Sequence, residues 1–186
     1  MNILLHICCA PCSTEVIERL QNDGYEVKGF FYNPNIQPKE EYEKRLDDAR
    51  KYTHLAEIDL IEGDYDDSTW IEKTNDYKNE PEGGKRCKIC YELRLLKTGE
   101  IAKLKNFDFF TSTLTISPYK NAKDINEIGI EISKKIGVKY LESDFKKKDG
   151  YYKSICKSKE AGLYRQDYCG CSYSKLESES KSKKIQ

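Results

Sequence analysis

The stretch Leu4-Leu5-His6-Ile7-Cys8-Cys9-Ala10-Pro11-Cys12-Ser13-Thr14 drives an apolar run straight into three cysteines. Residues 2–7 read as a buried strand. Residues 15–21 read as a helix, with Ser13 or Thr14 as its cap. The cysteines then stand on the first strand-to-helix turn. In an open α/β sheet that turn lies at the carboxyl ends of the strands, where such folds bind ligands. The positive end of the following helix favours thiolates there.

The rest of the chain alternates in the same way. Strand patterns at 25–32, 56–61, 107–111 and 138–141 are separated by helical patterns at 39–52, 68–77, 87–106 and 124–136. Ile125, Ile128 and Ile132 mark the apolar face of the last helix. Strands alternating with helices predict an α/β fold with a parallel, helix-flanked sheet. A single domain is expected over residues 1–177, long enough for a substantial core. Its segment 144–177 is basic and aromatic. Residues 178–186, rich in Lys and Ser, are expected to form a disordered tail.

No apolar run approaches a membrane span, and no signal peptide precedes Met1, so a cytoplasmic protein is expected. That setting governs how the eight cysteines are read. In a reducing compartment, clustered cysteines are more often metal ligands or redox groups than structural bridges. Seven fall in three groups: Cys8/Cys9/Cys12, Cys87/Cys90 and Cys169/Cys171. Cys156 stands alone and reads as a small buried or idle thiol.

Cys87-x-x-Cys90 puts two sulfurs one helical turn apart. With the first group this offers five sulfurs, and two metals suit them: structural zinc or an iron–sulfur cluster. Zinc sites normally use two separated C-x-x-C pairs. The adjacent Cys8-Cys9 pair on a ligand-binding turn favours iron–sulfur, with zinc kept open. Cys169-Gly170-Cys171 differs, because a bridge across one residue would be strained and easily reduced, which favours a redox pair over two further ligands. His6 reads as a hydrogen-bonding residue behind the thiolates or a backbone carbonyl. His54, after an exposed helix, carries no functional claim.

Lys plus Arg balance Asp plus Glu at 32 each, so any nucleic acid must meet a local patch. Lys146, Lys147, Lys148, Lys153, Lys157 and Lys159, interleaved with Phe145, Tyr151 and Tyr152, suit RNA phosphates and unstacked bases, or a plain solvated face. There is no P-loop and no glycine-rich pyrophosphate turn, which disfavours nucleotide hydrolysis and dinucleotide binding.

Taken in order, six motifs resemble the cobalamin-independent epoxyqueuosine reductases of the QueH type. They are His6-x-Cys8-Cys9-Ala10-Pro11-Cys12, Tyr32-Asn33-Pro34-Asn35-Ile36 and Arg86-Cys87-x-x-Cys90-Tyr91-x-x-Arg94-Leu95. They continue through Thr111-x-Thr113-Leu114-x-x-Ser117-Pro118-Tyr119-Lys120, Asp144-Phe145-Lys146-Lys147 and Tyr164-Arg165-Gln166-x-Tyr168-Cys169-Gly170-Cys171. The resemblance implies an adenine-nucleotide-alpha-hydrolase-like sheet without its ATP loop. It implies an oxidoreductase that reduces the epoxide of epoxyqueuosine, at the wobble position in the anticodon loop of tRNA, to queuosine. It implies a 4Fe–4S cluster on Cys8, Cys9, Cys87 and Cys90, and in some members a second, mononuclear iron, for which Cys12 is the candidate ligand. It further implies that Cys169 and Cys171 form a redox-active disulfide, restored by an external electron donor. Tyr32, Asn33, Tyr119, Lys120, Arg165 and Gln166 are candidates for holding the modified base or its phosphates. A tRNA-interacting zinc protein and a general thiol–disulfide oxidoreductase remain the rival readings.

Overall fold

The structure, a computed structural model, describes the backbone of residues 1–183 and side chains through residue 180. Five parallel strands form one sheet in the order β3-β2-β1-β4-β5. They are β1 (Asn2–His6), β2 (Glu26–Phe31), β3 (Leu60–Glu62), β4 (Phe109–Ser112) and β5 (Lys139–Tyr140). The chain winds outward from β1 in one direction, then returns to β4 on its other side. His6 pairs across the sheet with Phe30 and with Ser112. The crevice between β1 and β4 is therefore a topological switch point, open at the strands' carboxyl ends.

Alternation along β1 sends its side chains into two cores. Ile3, Leu5 and Ile7 pack with Val16, Ile17 and Leu20 of α1 (Ala10–Asn22) and with Tyr42, Leu46 and Ala49 of α2 (Lys39–Leu55). Leu4 packs with Tyr91, Leu95 and Ala102 of α4 (Lys85–Leu104) and Ile125 and Ile132 of α5 (Ala122–Ile136). Helices thus cover both faces, as a buried parallel sheet requires. The short α3 (Asp67–Thr74) packs against α4, and Asp66 caps it by accepting from the Thr69 N–H.

Three expectations are corrected. First, α1 begins at Ala10 rather than residue 15, and Cys9 is its N-cap. Pro11 is tolerated in the first turn, where its missing N–H has no helical partner anyway. Ser13 and Thr14 lie inside the helix and donate back to the carbonyls of Ala10 and Pro11. Second, β3 starts at Leu60, because residues 56–57 complete the turn after α2, where Glu57 has φ +54°. Third, the segment after residue 144 carries two helices, α6 (Gly150–Glu160) and α7 (Ser172–Lys183). Residues 178–183, expected to be disordered, are thus helical, and residues 184–186 lie outside the described residues. The polar α7 is held at its middle, where Glu177 pairs with buried Arg86 at 3.3 Å.

Helix α6 packs on α1 through Gly150, Ser154 and Ser158, a face too small and polar to show as an apolar stripe. A Cβ on Gly150 would collide with the Phe145 carbonyl, so the approach depends on glycine. Buried Glu15 on α1 clamps the pair, holding Lys157 of α6 at 2.5 Å and Arg19 at 2.6 Å. Burial raises the Glu15 carboxyl, but Lys157 and Arg19 outweigh it and hold the carboxyl below its ordinary value of 4.5. A carboxylate depressed in the folded state lends stability that is complete above its unfolded pKa and fades as pH falls through the folded one. Glu15→Gln is expected to be less stable at neutral pH. Its urea midpoint should also vary less with pH below about 4.5 than that of the parent chain; equal slopes would show that the clamp contributes nothing.

Candidate active site: seven cysteines at three helix ends

The three cysteine groups share one structural address. Cys9 and Cys12 stand at the start of α1, and Cys8 just before it. Cys87 and Cys90 occupy the first turns of α4. Cys171 caps α7: its carbonyl accepts from the Lys175 N–H at 3.1 Å and its Sγ from the Ser174 N–H at 3.4 Å. Free N–H groups and the positive dipole end at each site favour thiolates and other anions.

The sulfurs of Cys8, Cys9 and Cys12 lie within 4.8 Å of one another. Thr113, in the turn after β4, ties this loop across the switch point. Its hydroxyl accepts from the Cys8 N–H at 3.1 Å and lies 3.2 Å from the Cys8 Sγ. Gln166 donates to the Cys9 Sγ at 3.1 Å. Hydrogen bonds from Cys12 and Cys9, with Lys120 nearby, pull the Cys8 thiol well below its ordinary value against the cost of burial. Cys12 donates to Cys9 as well, but Cys8 and burial outweigh that and push Cys9 up to about 12. Cys12 rises too, through its bonds to Cys8 and Cys9 and through burial. Of the three, Cys8 is the sulfur whose charged form its neighbours favour.

A cavity of about 360 Å³ opens over Cys8 and Cys12. Tyr119, Lys120, Arg165, Gln166 and Cys169 are on its wall. Burial opposes the Lys120 ammonium, but Cys169, Tyr91, Cys8 and Cys12 more than offset it and raise its pKa. Tyr119 is fully available at 78 % exposure. A second, narrower cavity adjoins, walled by Cys87, Cys90, Cys169 and Cys171. Arg94 and Cys169 line both. Cys87 and Cys90 thus stand apart from the compact trio, across Arg94 and Cys169. Burial raises Cys87 to about 11 and raises Cys90, the latter against the Arg94 charge.

Two of the expected base-holding residues are not on these walls. Tyr32 is buried against Phe30, ring centroids 6.0 Å apart. Asn33 is wholly buried; its amide donates to the Ile7 carbonyl at 2.9 Å and accepts from Arg94 at 3.4 Å. Both brace the cysteine loop from behind, because the chain leaving β2 passes under that loop. His6 does the same. Its Nε2 lies 3.1 Å from the Tyr32 carbonyl and its Nδ1 2.9 Å from the Ser112 hydroxyl, and burial lowers its pKa to about 4. Cys156, half-buried on α6, is on neither wall.

The sequence pattern did not mark Arg45 or Trp70. Arg45, buried on charged α2, donates to the carbonyls of Cys169 at 3.0 Å and Tyr168 at 3.3 Å, and pairs with Glu41 at 2.7 Å. Gly170, at φ +131° where a side chain is strained, accepts from the Gln37 N–H at 2.8 Å and packs closely against Arg45. Cys169 and Cys171 are both free thiols, the second buried.

The sequence model of the family described as Epoxyqueuosine reductase QueH matches residues 3–177. This chain belongs to that family. A QueH relative from Streptococcus pyogenes serotype M1 is 41 % identical over 92 % of this chain and 69 % of its own length. One from Thermotoga maritima is 38 % identical over 98 % of this chain and 95 % of its own. Both carry the name epoxyqueuosine reductase QueH. Among solved structures, a predicted tRNA methyltransferase subunit from Methanocaldococcus jannaschii is similar at TM-score 0.59 and 9 % identity, over 83 % of this chain and 74 % of its own. The U34-tRNA thiolase NcsA from Methanococcus maripaludis, described with its [4Fe-4S] cluster, is similar at TM-score 0.57 and 15 % identity, over 100 % of this chain and 65 % of its own. These likenesses show the expected fold, a parallel sheet flanked by helices. Among the described residues no helix is long and apolar enough to cross a membrane.

Arg45 fixes the Cys169 loop through two charged hydrogen bonds, each worth about 1.5–3 kcal/mol. Arg45→Lys cannot reproduce that fork. Native-state alkylation followed by mass spectrometry should find Cys171 modified at least several-fold faster in this variant. Unchanged protection would mean that Gly170 and Gln37 hold the loop unaided.

Proposed function

We propose that this chain reduces the epoxide of epoxyqueuosine, carried at the wobble position of tRNA, with an iron–sulfur centre and the Cys169/Cys171 dithiol. The observation that carries the reading, beside family membership, is the pair of adjoining cysteine cavities sharing Cys169 and Arg94. The donor set fits such a centre. It is all sulfur, it sits at helix N-termini, and Arg94, which lines both cavities, has a buried nitrogen without a partner. Cys8, Cys9, Cys87 and Cys90 would hold a 4Fe–4S cluster, and Cys12 a second iron on the substrate side. A bound iron centre supplies one-electron transfer and Lewis acidity toward oxygen.

The chain's own residues do the rest. Lys120, an ammonium facing the larger cavity, offsets negative charge on the departing oxygen. Exposed Tyr119 offers a ring for a flipped base, and Arg165 and Gln166 polar contacts around it. The balance closes on one dithiol: epoxide plus two thiols yields alkene, water and a disulfide. The two electrons and two protons come from Cys169 and Cys171, and an external reductant restores them. Half-buried Cys169 faces the substrate cavity, and buried Cys171 lies behind it.

The compact Cys8/Cys9/Cys12 trio favours one rival, a zinc site in a tRNA-interacting protein without redox chemistry. Anaerobic purification with iron, sulfide and zinc quantified separates the two. Iron with sulfide is expected, retained in Cys12→Asp and lost in Cys87→Ala. Replacing both Cys169 and Cys171 by serine should leave iron content and tRNA affinity largely intact while ending multiple turnover. One zinc per chain, or a double-serine protein that turns over normally, would overturn the reading.

A further inference from the structure

Among the described residues, five buried side-chain polar atoms lack a hydrogen-bond partner. Four of them belong to residues on the wall of the narrow cavity: Asn35 Oδ1, Trp70 Nε1, Arg86 Nε and Arg94 Nη2. Orphaned buried donors are costly, on the order of 1–3 kcal/mol each. Scattered, they would be ordinary exceptions; gathered around four cysteines, the donors among them mark a missing acceptor. Three of the four are N–H donors, on side chains at most 2 % exposed. Each is fixed by its other contacts. Arg86 donates to the carbonyls of Lys78 and Glu80 and pairs with Glu177. Arg94 donates to Asn33 and to the Cys90 carbonyl. Trp70 packs against Cys90, Cys171 and Tyr173. None can swing to water for a partner.

An acceptor that suits three N–H donors on the wall of one thiol-lined cavity is sulfur carrying negative charge. We infer that Trp70, together with Arg86 and Arg94, donates N–H hydrogen bonds to the sulfur atoms of the centre held at Cys87 and Cys90, and thereby sets its reduction potential. This rests on the iron–sulfur reading above. Such bonds stabilise the extra electron of the reduced state, so each raises the potential. Trp70 is the informative member because it carries no charge: its effect is the hydrogen bond alone.

Trp70 is the chain's single tryptophan, so one isotope or one isostere reports on one atom. In the native holoprotein grown with indole-¹⁵N tryptophan and reduced by one electron, pulsed EPR is expected to show ¹⁵N and exchangeable-proton coupling to the centre. Growth on the benzothienyl isostere of tryptophan removes the N–H while keeping the ring shape. Iron and sulfide per chain should then be unchanged. At the potential where the native centre is half reduced, the reduced-to-oxidised ratio should fall about tenfold, equivalent to about 59 mV for one electron. Trp70→Phe should move it the same way. A fully loaded centre without the nitrogen coupling, or with an unmoved potential in the isostere, overturns the inference and leaves the iron–sulfur reading standing. A native chain that binds zinc, or no metal, overturns both.

Discussion

The buried guanidinium of Arg94 is the constraint around which the site is built. It is 2 % exposed, and among the described residues it pairs with no carboxylate. A charge in that position is tolerated only where something offsets it. Burial works to lower its pKa, and the nearby Cys90, Cys169 and Cys8 raise it more. Arg94 and the cysteines therefore support one another: the sulfurs help keep the buried cation charged, and its charge works against the burial that raises Cys90. Because Arg94 also reaches Asn33 behind the cysteine loop, the same group that sets the charge sets the geometry.

Topology then explains why the cysteine groups gather at one end of the sheet. Parallel strands place every following turn at one end of the sheet, and the reversal between β1 and β4 opens a crevice there. Helices α1, α4 and α7 each begin near that edge with cysteine in or before the first turn. Seven thiols so placed share three converging positive helix ends, a field that a neutral chain with equal acidic and basic residues could not create by net charge.

The sequence made much of this legible. Strands buried on both faces print as apolar runs, and the Ile125/Ile132 face of α5 prints at helical spacing. Cysteine spacing alone singled out the seven thiols. What escaped obeys physics that leaves no periodic trace. Helix α6 buries glycine and serine. Pro11 conceals the start of α1 by sitting where a helix accepts it. Arg45 belongs to a run of charges on α2, and only the fold reveals that its guanidinium turns inward while Arg50, one turn on, meets Glu62 at the surface. Tyr32 and Asn33 belong to a motif that the fold uses for bracing, not for contact with the cavity.

The asymmetry within Cys169-Gly170-Cys171 follows from the same packing. Arg45 and Gln37 hold the backbone on either side of the first sulfur, whereas the second is committed to α7 as an N-cap. A bond between the two sulfurs would withdraw the Cys171 Sγ from the Ser174 N–H. That costs on the order of 1 kcal/mol, the usual worth of a helix cap. The fold thus leans toward the dithiol by a small amount, and Gly170 supplies the φ +131° backbone that keeps the pair close. Under the function proposed above, a dithiol held this way needs only a modest external driving force to return to its reduced form. Cys169 lines both cavities, so the same reading puts the dithiol where they adjoin.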